Sequence, residues 1–171
     1  DENEVRTITA VNGAGTQLTL SSPLSFNHYG GPEYQAEVGL LSRSIEFHTE
    51  PTLLTAAPGF GAHVMIHSSR ARVSGLELKG MGQQNFIGRY PFHFHHAIGA
   101  GSYFTDSSVW QSNWRSVVVH RTNDAVVSRN VAFDVFGHSF YLEDGVEVGF
   151  ELSFNLAART KIMGPTDVAS L

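Results

Sequence analysis

The chain has 171 residues, 42% of them hydrophobic and 16% charged, which is the balance of one globular domain with a real core and excludes a disordered segment. Its formal charge of -5, with no Lys/Arg cluster, argues against nucleic acid as a partner, because phosphate binding is carried by basic residues on one face. With no cysteine, disulfides and thiolate metal sites are excluded, so any transition metal has to be held by imidazole and carboxylate.

No apolar run approaches the roughly 18 residues of a membrane helix, so no membrane insertion is expected, and the N-terminus has neither the basic nor the apolar region of a signal peptide. The chain starts Asp1-Glu2-Asn3 without an initiator Met and reads as an excised or mature piece of something longer, with adjacent domains as neighbours.

In chain order, residues 4–20 read as a β-hairpin: Val5, Thr7 and Thr9 alternate with Arg6, Ile8 and Ala10, Asn12-Gly13-Ala14-Gly15 turns, and Gln17-Leu18-Thr19-Leu20 returns. A turn-rich loop, Phe26 to Pro32, follows. We expect three segments: residues 1–35 as hairpin and loop at the edge of a preceding all-β domain, 36–160 as solenoid coils, and 161–171 as an irregular tail. Past Val38, short runs of Val, Ile and Phe are separated by Gly, Asn, Ser and Asp, and no helical period is sustained.

These runs align on one another. Val117-Val118-Val119-His120-Arg121 stands over Phe140-Tyr141-Leu142-Glu143-Asp144 at an offset of 143 − 120 = 23 residues. The same offset brings Phe104 onto Val127 and Val109-Trp110 onto Ala132-Phe133. Phe92-His93-Phe94-His95 fits one coil earlier, at 120 − 95 = 25, and Ala62 to His67 fits before that, across the Gln83 to Phe86 excursion. A repeat of this length, with two or three short strands and no room for a helix, predicts an all-β, right-handed parallel β-helix of about four coils, preceded by the hairpin. A β-sandwich would also space its strands regularly, but would not repeat side-chain character in register. Ile66, Phe94, Val119 and Leu142 should form one inward ladder, and Val73, Phe104 and Val127 another.

The register places His67, His95, His120 and Glu143 in one outward column, one per coil at about 4.8 Å, with His93 two residues along on the same face. The next column carries His96, Arg121 and Asp144. Imidazole and carboxylate are zinc donors, so His93, His95, His120 and Glu143 are the candidate metal ligands, and the expected cofactor is a divalent metal, zinc or calcium. Such an ion would polarise a bound oxygen or acidify a water, with Glu143 or Asp144 as base. Without a metal, Glu143 and Asp144 could divide the roles of proton donor and acceptor on a glycosidic bond. His138 stands as a fourth ligand or a turn residue, and Arg89 as a holder of an anionic substrate group or the partner of an acid. Trp110, Trp114 and Tyr141 stand as sugar platforms or as packing. His28, His48 and His63 read as loop or surface residues.

Three stretches carry a resemblance to a known family: Gly88-Arg89-Tyr90-Pro91-Phe92-His93-Phe94-His95, Val118-Val119-His120, and Asn130 through Gly145 with Gly137-His138 and Leu142-Glu143-Asp144-Gly145. They resemble the extracellular β-helix family of the cell-migration-inducing hyaluronan-binding protein, the transmembrane hyaluronan-degrading protein and the fibrocystin-like proteins. The similarity runs over about residues 16–160. It implies a secreted or surface-displayed parallel β-helix that binds or depolymerises a polysaccharide such as hyaluronan, either as a central module or in a bacterial relative. Arg89, His93, His95, His120, His138, Glu143 and Asp144 are the positions carried over by matching motif. Two departures are visible: Ala97 to Ala100 lacks an acidic residue after the His motif, and Val148 to Phe150 lacks an Asn after Glu147. The expected function is therefore a metal-assisted polysaccharide depolymerase, a glycoside hydrolase or a lyase. The alternatives are a non-catalytic glycan-binding or adhesion module and a purely architectural solenoid segment.

Overall fold

The computed structural model describes residues 2–162. Two compact units are present, one ending at Val38 and the other starting at Gly39. In the first, β1 (Ile8–Val11) pairs antiparallel with β2 (Leu18–Leu20). The turn between them is closed by Asn12, whose side-chain carbonyl accepts from the backbone N–H groups of Thr16 and Gln17, as short amide side chains do in turns.

The second unit is a parallel β-helix. After β3 (Ile45–His48), each coil contributes one strand to each of three sheets. The first sheet is β4 (Val64–His67), β7 (Phe92–His95), β10 (Val117–His120) and β13 (Phe140–Leu142). The second is β5 (Arg72–Ser74), β8 (Tyr103–Thr105), β11 (Val126–Ser128) and β14 (Glu151–Ser153). The third adds β6 (Leu76–Lys79), β9 (Ser108–Trp110), β12 (Val131–Phe136) and β15 (Leu156–Lys161) to β3. All pairings in these sheets are parallel. The register is the expected one: His67 is opposite His95, His95 opposite His120, Val119 opposite Leu142, Phe104 opposite Val127, and Val109 opposite Ala132.

Inward residues alternate along each strand and stack between coils, so the core is one column of side chains with few voids. Leu78, Phe92, Phe94, Phe104, Val109, Val117, Val119 and Val127 are buried in it. The Phe92 ring stacks on Phe104 at 4.2 Å and meets Phe94 edge-on at 5.0 Å. Leu142 departs from the expectation of a buried rung. It continues the ladder and shares a cavity of about 50 Å³ with Val117, Val119, Phe140 and Leu152, but it is 39% exposed, because among the described residues no strand pairs with the far edge of β13.

A second departure is α1 (Pro51–Ala56), a six-residue helix between β3 and β4, where no helix was expected. Pro51 at its first position costs nothing there, since that N–H has no helical partner anyway. The segment is too short to show an apolar period.

Corners are made by single left-handed residues. Ser68, His96 and Arg121, at φ 51°, 50° and 46°, follow the three histidine rungs and turn the chain from the first sheet into the second. A non-glycine residue pays roughly 1–2 kcal/mol for this conformation, which the stacked neighbours offset. Asn130 bridges coils at another corner: its side-chain carbonyl accepts from the Ser107 N–H, and its amide donates to the Phe104 carbonyl and to Asn155.

Asp106 and Arg129 pair across adjacent coils at 2.7 and 2.8 Å. The Arg129 hydrogen bonds hold the Asp106 carboxyl down to about 2, against the opposing effect of burial. A carboxylate with a depressed folded-state pKa contributes stability that is present above its unfolded value, near 4, and lost as pH falls toward 2. Denaturant titrations at successive pH values should therefore lose stability between about pH 4 and 2. Asp106→Asn should flatten that slope, and an unchanged slope would show that the pair contributes nothing.

Candidate metal centre on the outer face

Outward side chains of the first sheet converge across its second, third and fourth coils. The candidate ligand atoms of His93, His95 and His120 lie within 4.8 Å of one another. His93 comes from the same face of β7 as His95, two residues apart, and His120 from the neighbouring strand. Glu143 follows β13 and brings its Oε2 to 3.6 Å from His93 Nε2 and 3.7 Å from His120 Nδ1.

Hydrogen-bond partners assign the tautomers. The His93 Nδ1–H donates to the Gly88 carbonyl at 3.0 Å, which leaves Nε2 as the lone-pair nitrogen. Burial pushes His93 down to about 4, so the ring is neutral near pH 7 and its contact with Glu143 is no ion pair. That Nε2 is buried without a hydrogen-bond partner. His120 Nε2 lies 3.2 Å from Asp144 Oδ2 and is its N–H donor. His120 Nδ1 is then a lone pair too, and it accepts from His95 Nδ1 at 2.9 Å.

The His93 Nε2 lone pair and the Glu143 Oε2 thus face one another with no hydrogen between them, while the His120 Nδ1 lone pair beside them is held by the His95 N–H, a proton that would have to leave His95 Nδ1 for that atom to bind an ion. Two acceptors so placed repel unless a proton or a metal ion stands between them. Two donors each about 2.1 Å from one ion at a tetrahedral angle are about 3.4 Å apart, close to the 3.6 and 3.7 Å here. The residues fit a metal. Three imidazoles suit zinc-like ions and not calcium, which takes oxygen ligands.

Asp144 sits one step out from that set. It is held by Arg121 Nε at 2.8 Å, and this hydrogen bond keeps its carboxyl below the usual range. Its contact with His120 is that of a carboxylate orienting a ligand imidazole. His67 stacks 5.2 Å from His95, outside the triad, with its Nδ1 against Ser68 Oγ. His96 also borders the cluster, 4.7 Å from His95 and 5.0 Å from His120.

Arg89 and His138 contact residues other than the triad. Arg89 donates to Gln83 Oε1 at 2.7 Å and lies over the Phe86 ring, within the excursion between the first two coils. His138 stacks on Tyr141 at 4.6 Å, and its pKa is lowered by burial and by Arg115. Trp114 is fully buried and cannot serve as a sugar platform, while Trp110 donates to Glu77 and carries Lys79 over its ring. His28 contacts Glu4, His48 contacts Glu46, and His63 is exposed ahead of β4.

Two residues escaped the sequence reading. Tyr90 is fully buried and donates its hydroxyl to Glu143 Oε1 at 2.7 Å. Burial, and then the Glu143 bond, push that phenol up to about 12. Arg115, also fully buried, reaches the Tyr90 oxygen at 3.5 Å. Tyr90 belongs to a small apolar cluster with Trp114, Val118, Phe136 and Tyr141, and the Arg115 guanidinium lies over the Tyr90, Trp114 and Tyr141 rings. Gly82 makes room for this cluster: a Cβ there would stand 2.9 Å from Pro91 and 3.1 Å from the Trp114 nitrogen. The sequence signal was faint, namely that Tyr90 and Arg115 each lie two residues ahead of a first-sheet strand.

Fold and site together define a parallel β-helix with a histidine centre on its outer face. Residues 59–170 match the CEMIP beta-helix family, and the chain belongs to it. A G8 domain-containing protein of Dictyostelium discoideum is 50% identical over 164 residues, covering 95% of this chain and 14% of its own length. Communication mutant protein F of the same organism is 41% identical over 96% of the chain and 15% of its own length. Human fibrocystin-L is 31% identical over 91% of the chain and 5% of its own length. The chain thus spans 5–15% of the length of these relatives.

Proposed function

We propose that this chain is an extracellular, polysaccharide-acting β-helix whose outer face holds a zinc-like ion and cleaves an anionic glycan of the hyaluronan kind. The observation that carries the metal is the orphaned, neutral His93 Nε2 facing Glu143 and His120. Membership of the CEMIP beta-helix family, together with the motifs shared with hyaluronan-binding and hyaluronan-degrading proteins, supports the glycan.

His93, His95 and His120 would hold the ion, with Glu143 as fourth ligand or as base. Bound there, the ion would supply a polarised oxygen or a water of lowered pKa. The protein's own contributions are separable from that. Gly88 and Asp144 fix the two imidazole tautomers, and Glu143 can take a proton at Oε2, since Oε1 is occupied by the Tyr90 hydroxyl. Arg121 keeps Asp144 ionised, so Asp144 orients His120 and does not act as the proton donor. The face is open to a long chain because the third and fourth coils present His120, Asp144 and Arg121 toward solvent.

The test is incubation of the purified protein with hyaluronan and related glycans, with new chain ends read by reducing-end and unsaturation assays. Cleavage that falls at least about 100-fold in Glu143→Gln, a general acid–base residue by this reading, with the fold intact, supports the proposal. Glycan binding without new ends in the wild type would make the chain a binding module. Neither binding nor cleavage would leave an architectural segment.

A further inference from the structure

A buried pair, Tyr90 and Arg115, stands behind Glu143. Arg115 is fully buried, and no carboxylate pairs with it among the described residues. Its guanidinium lies 4.5 Å over Tyr141, 5.4 Å from Trp114 and 5.9 Å from Tyr90, and its Nε and Nη2 have no hydrogen-bond partner. A buried cation left without an anion carries a large desolvation cost, and packing alone would favour an apolar residue in its place. Among the described residues its side chain makes one hydrogen bond, Nη1 to the Tyr90 oxygen.

That contact has a direction. A guanidinium has only donors, so it can meet the phenol only at an oxygen lone pair. The single phenolic hydrogen is then left for Glu143 Oε1, and the nearby positive charge makes it a better donor. With Oε1 taken, Oε2 is the oxygen turned to His93 and His120. We infer that Tyr90 and Arg115 form a buried positioning arm that fixes the Glu143 carboxylate toward the histidine triad, with Arg115 acting through Tyr90. Neither touches substrate. The inference rests on the metal centre proposed above, and it adds two residues that determine how tightly that centre closes.

Zinc titration in competition with a chromophoric chelator reads the arm. Tyr90→Phe removes one oxygen from a nearly isosteric ring and should weaken zinc binding 10–100-fold, the usual cost of losing a partner that orients a ligand. Arg115→Met should weaken it about tenfold, and Arg115→Lys should restore part of that, the charge being kept. Because the two act in series, the double variant Tyr90→Phe/Arg115→Met should bind no more weakly than Tyr90→Phe alone. Unchanged affinity in Tyr90→Phe, or additive losses in the double variant, would overturn the inference.

A second readout needs no metal. The Tyr90 hydroxyl proton, buried and bonded to a carboxylate, should be visible by proton NMR in slow exchange, and should be absent in Tyr90→Phe. It should shift upfield in Arg115→Met and stay in place in Arg115→Lys. If the wild type binds no zinc, the metal reading falls while the hydroxyl signal still decides on the arm. An unshifted signal in Arg115→Met overturns it.

Discussion

His120→Ala should remove at least about 100-fold of the zinc affinity of a protein that otherwise binds one equivalent, a loss larger than that of any orienting partner. His120 stands at the centre of the cluster. It contacts His95 through Nδ1, faces Glu143 with the same atom, and is held by Asp144 through Nε2. Its removal leaves His93 and His95 on one strand, two imidazoles in place of three, and takes away the ligand that the neighbouring coil contributes. His67→Ala and His138→Ala are the controls, since neither ring belongs to the triad, and both should bind as the wild type does. Metal analysis after gel filtration reads stoichiometry, and chelator competition reads affinity. Equal stoichiometry and affinity in wild type and His120→Ala would end the case for this centre.

Phe94→Ala should cost about 3–5 kcal/mol of unfolding free energy, the range for truncating a buried aromatic. Phe94 is wholly enclosed, sits opposite Ile66 and Val119 on its two neighbouring strands, and contacts Phe92 edge-on. A net stability of about 5–15 kcal/mol leaves little beyond such a loss. The effect should reach the site as well, because Phe94 lies between His93 and His95 in the chain and its packing anchors the strand that carries both. Urea unfolding followed by circular dichroism measures the first effect and zinc affinity the second. A cost under 1 kcal/mol would mean that the column is not packed as described.

The register was legible because a solenoid writes its tertiary contacts into the sequence. Like stacks on like, so the Val117 to Arg121 and Phe140 to Asp144 runs superpose on sequence alone, and the His95, His120 and Glu143 column follows. What surrounds that column was not legible. Tyr90, Trp114 and Arg115 meet Glu143 and Val118 only because the segments before β7 and β10 fold back over the outer face. Segments between strands carry no period to read. The depth of His93 was hidden for the same reason: alternation gives its face, while burial depends on what lies over that face. Arg89 makes a local contact instead, its Nη1 donating to Gln83, six residues away. Chain distance gave no sign of that.

Coil length varies while the rungs do not. From β4 to β7 the same position recurs after 92 − 64 = 28 residues, then after 117 − 92 = 25, then after 140 − 117 = 23. The surplus of the first interval falls in the excursion around Gln83 to Arg89, outside the ladders. Length change and site geometry are thereby uncoupled: residues added in such an excursion reshape the rim around the histidine face while leaving the spacing of His95, His120 and Glu143 untouched. A lineage built on this frame can change what it admits to that face without rebuilding the face itself.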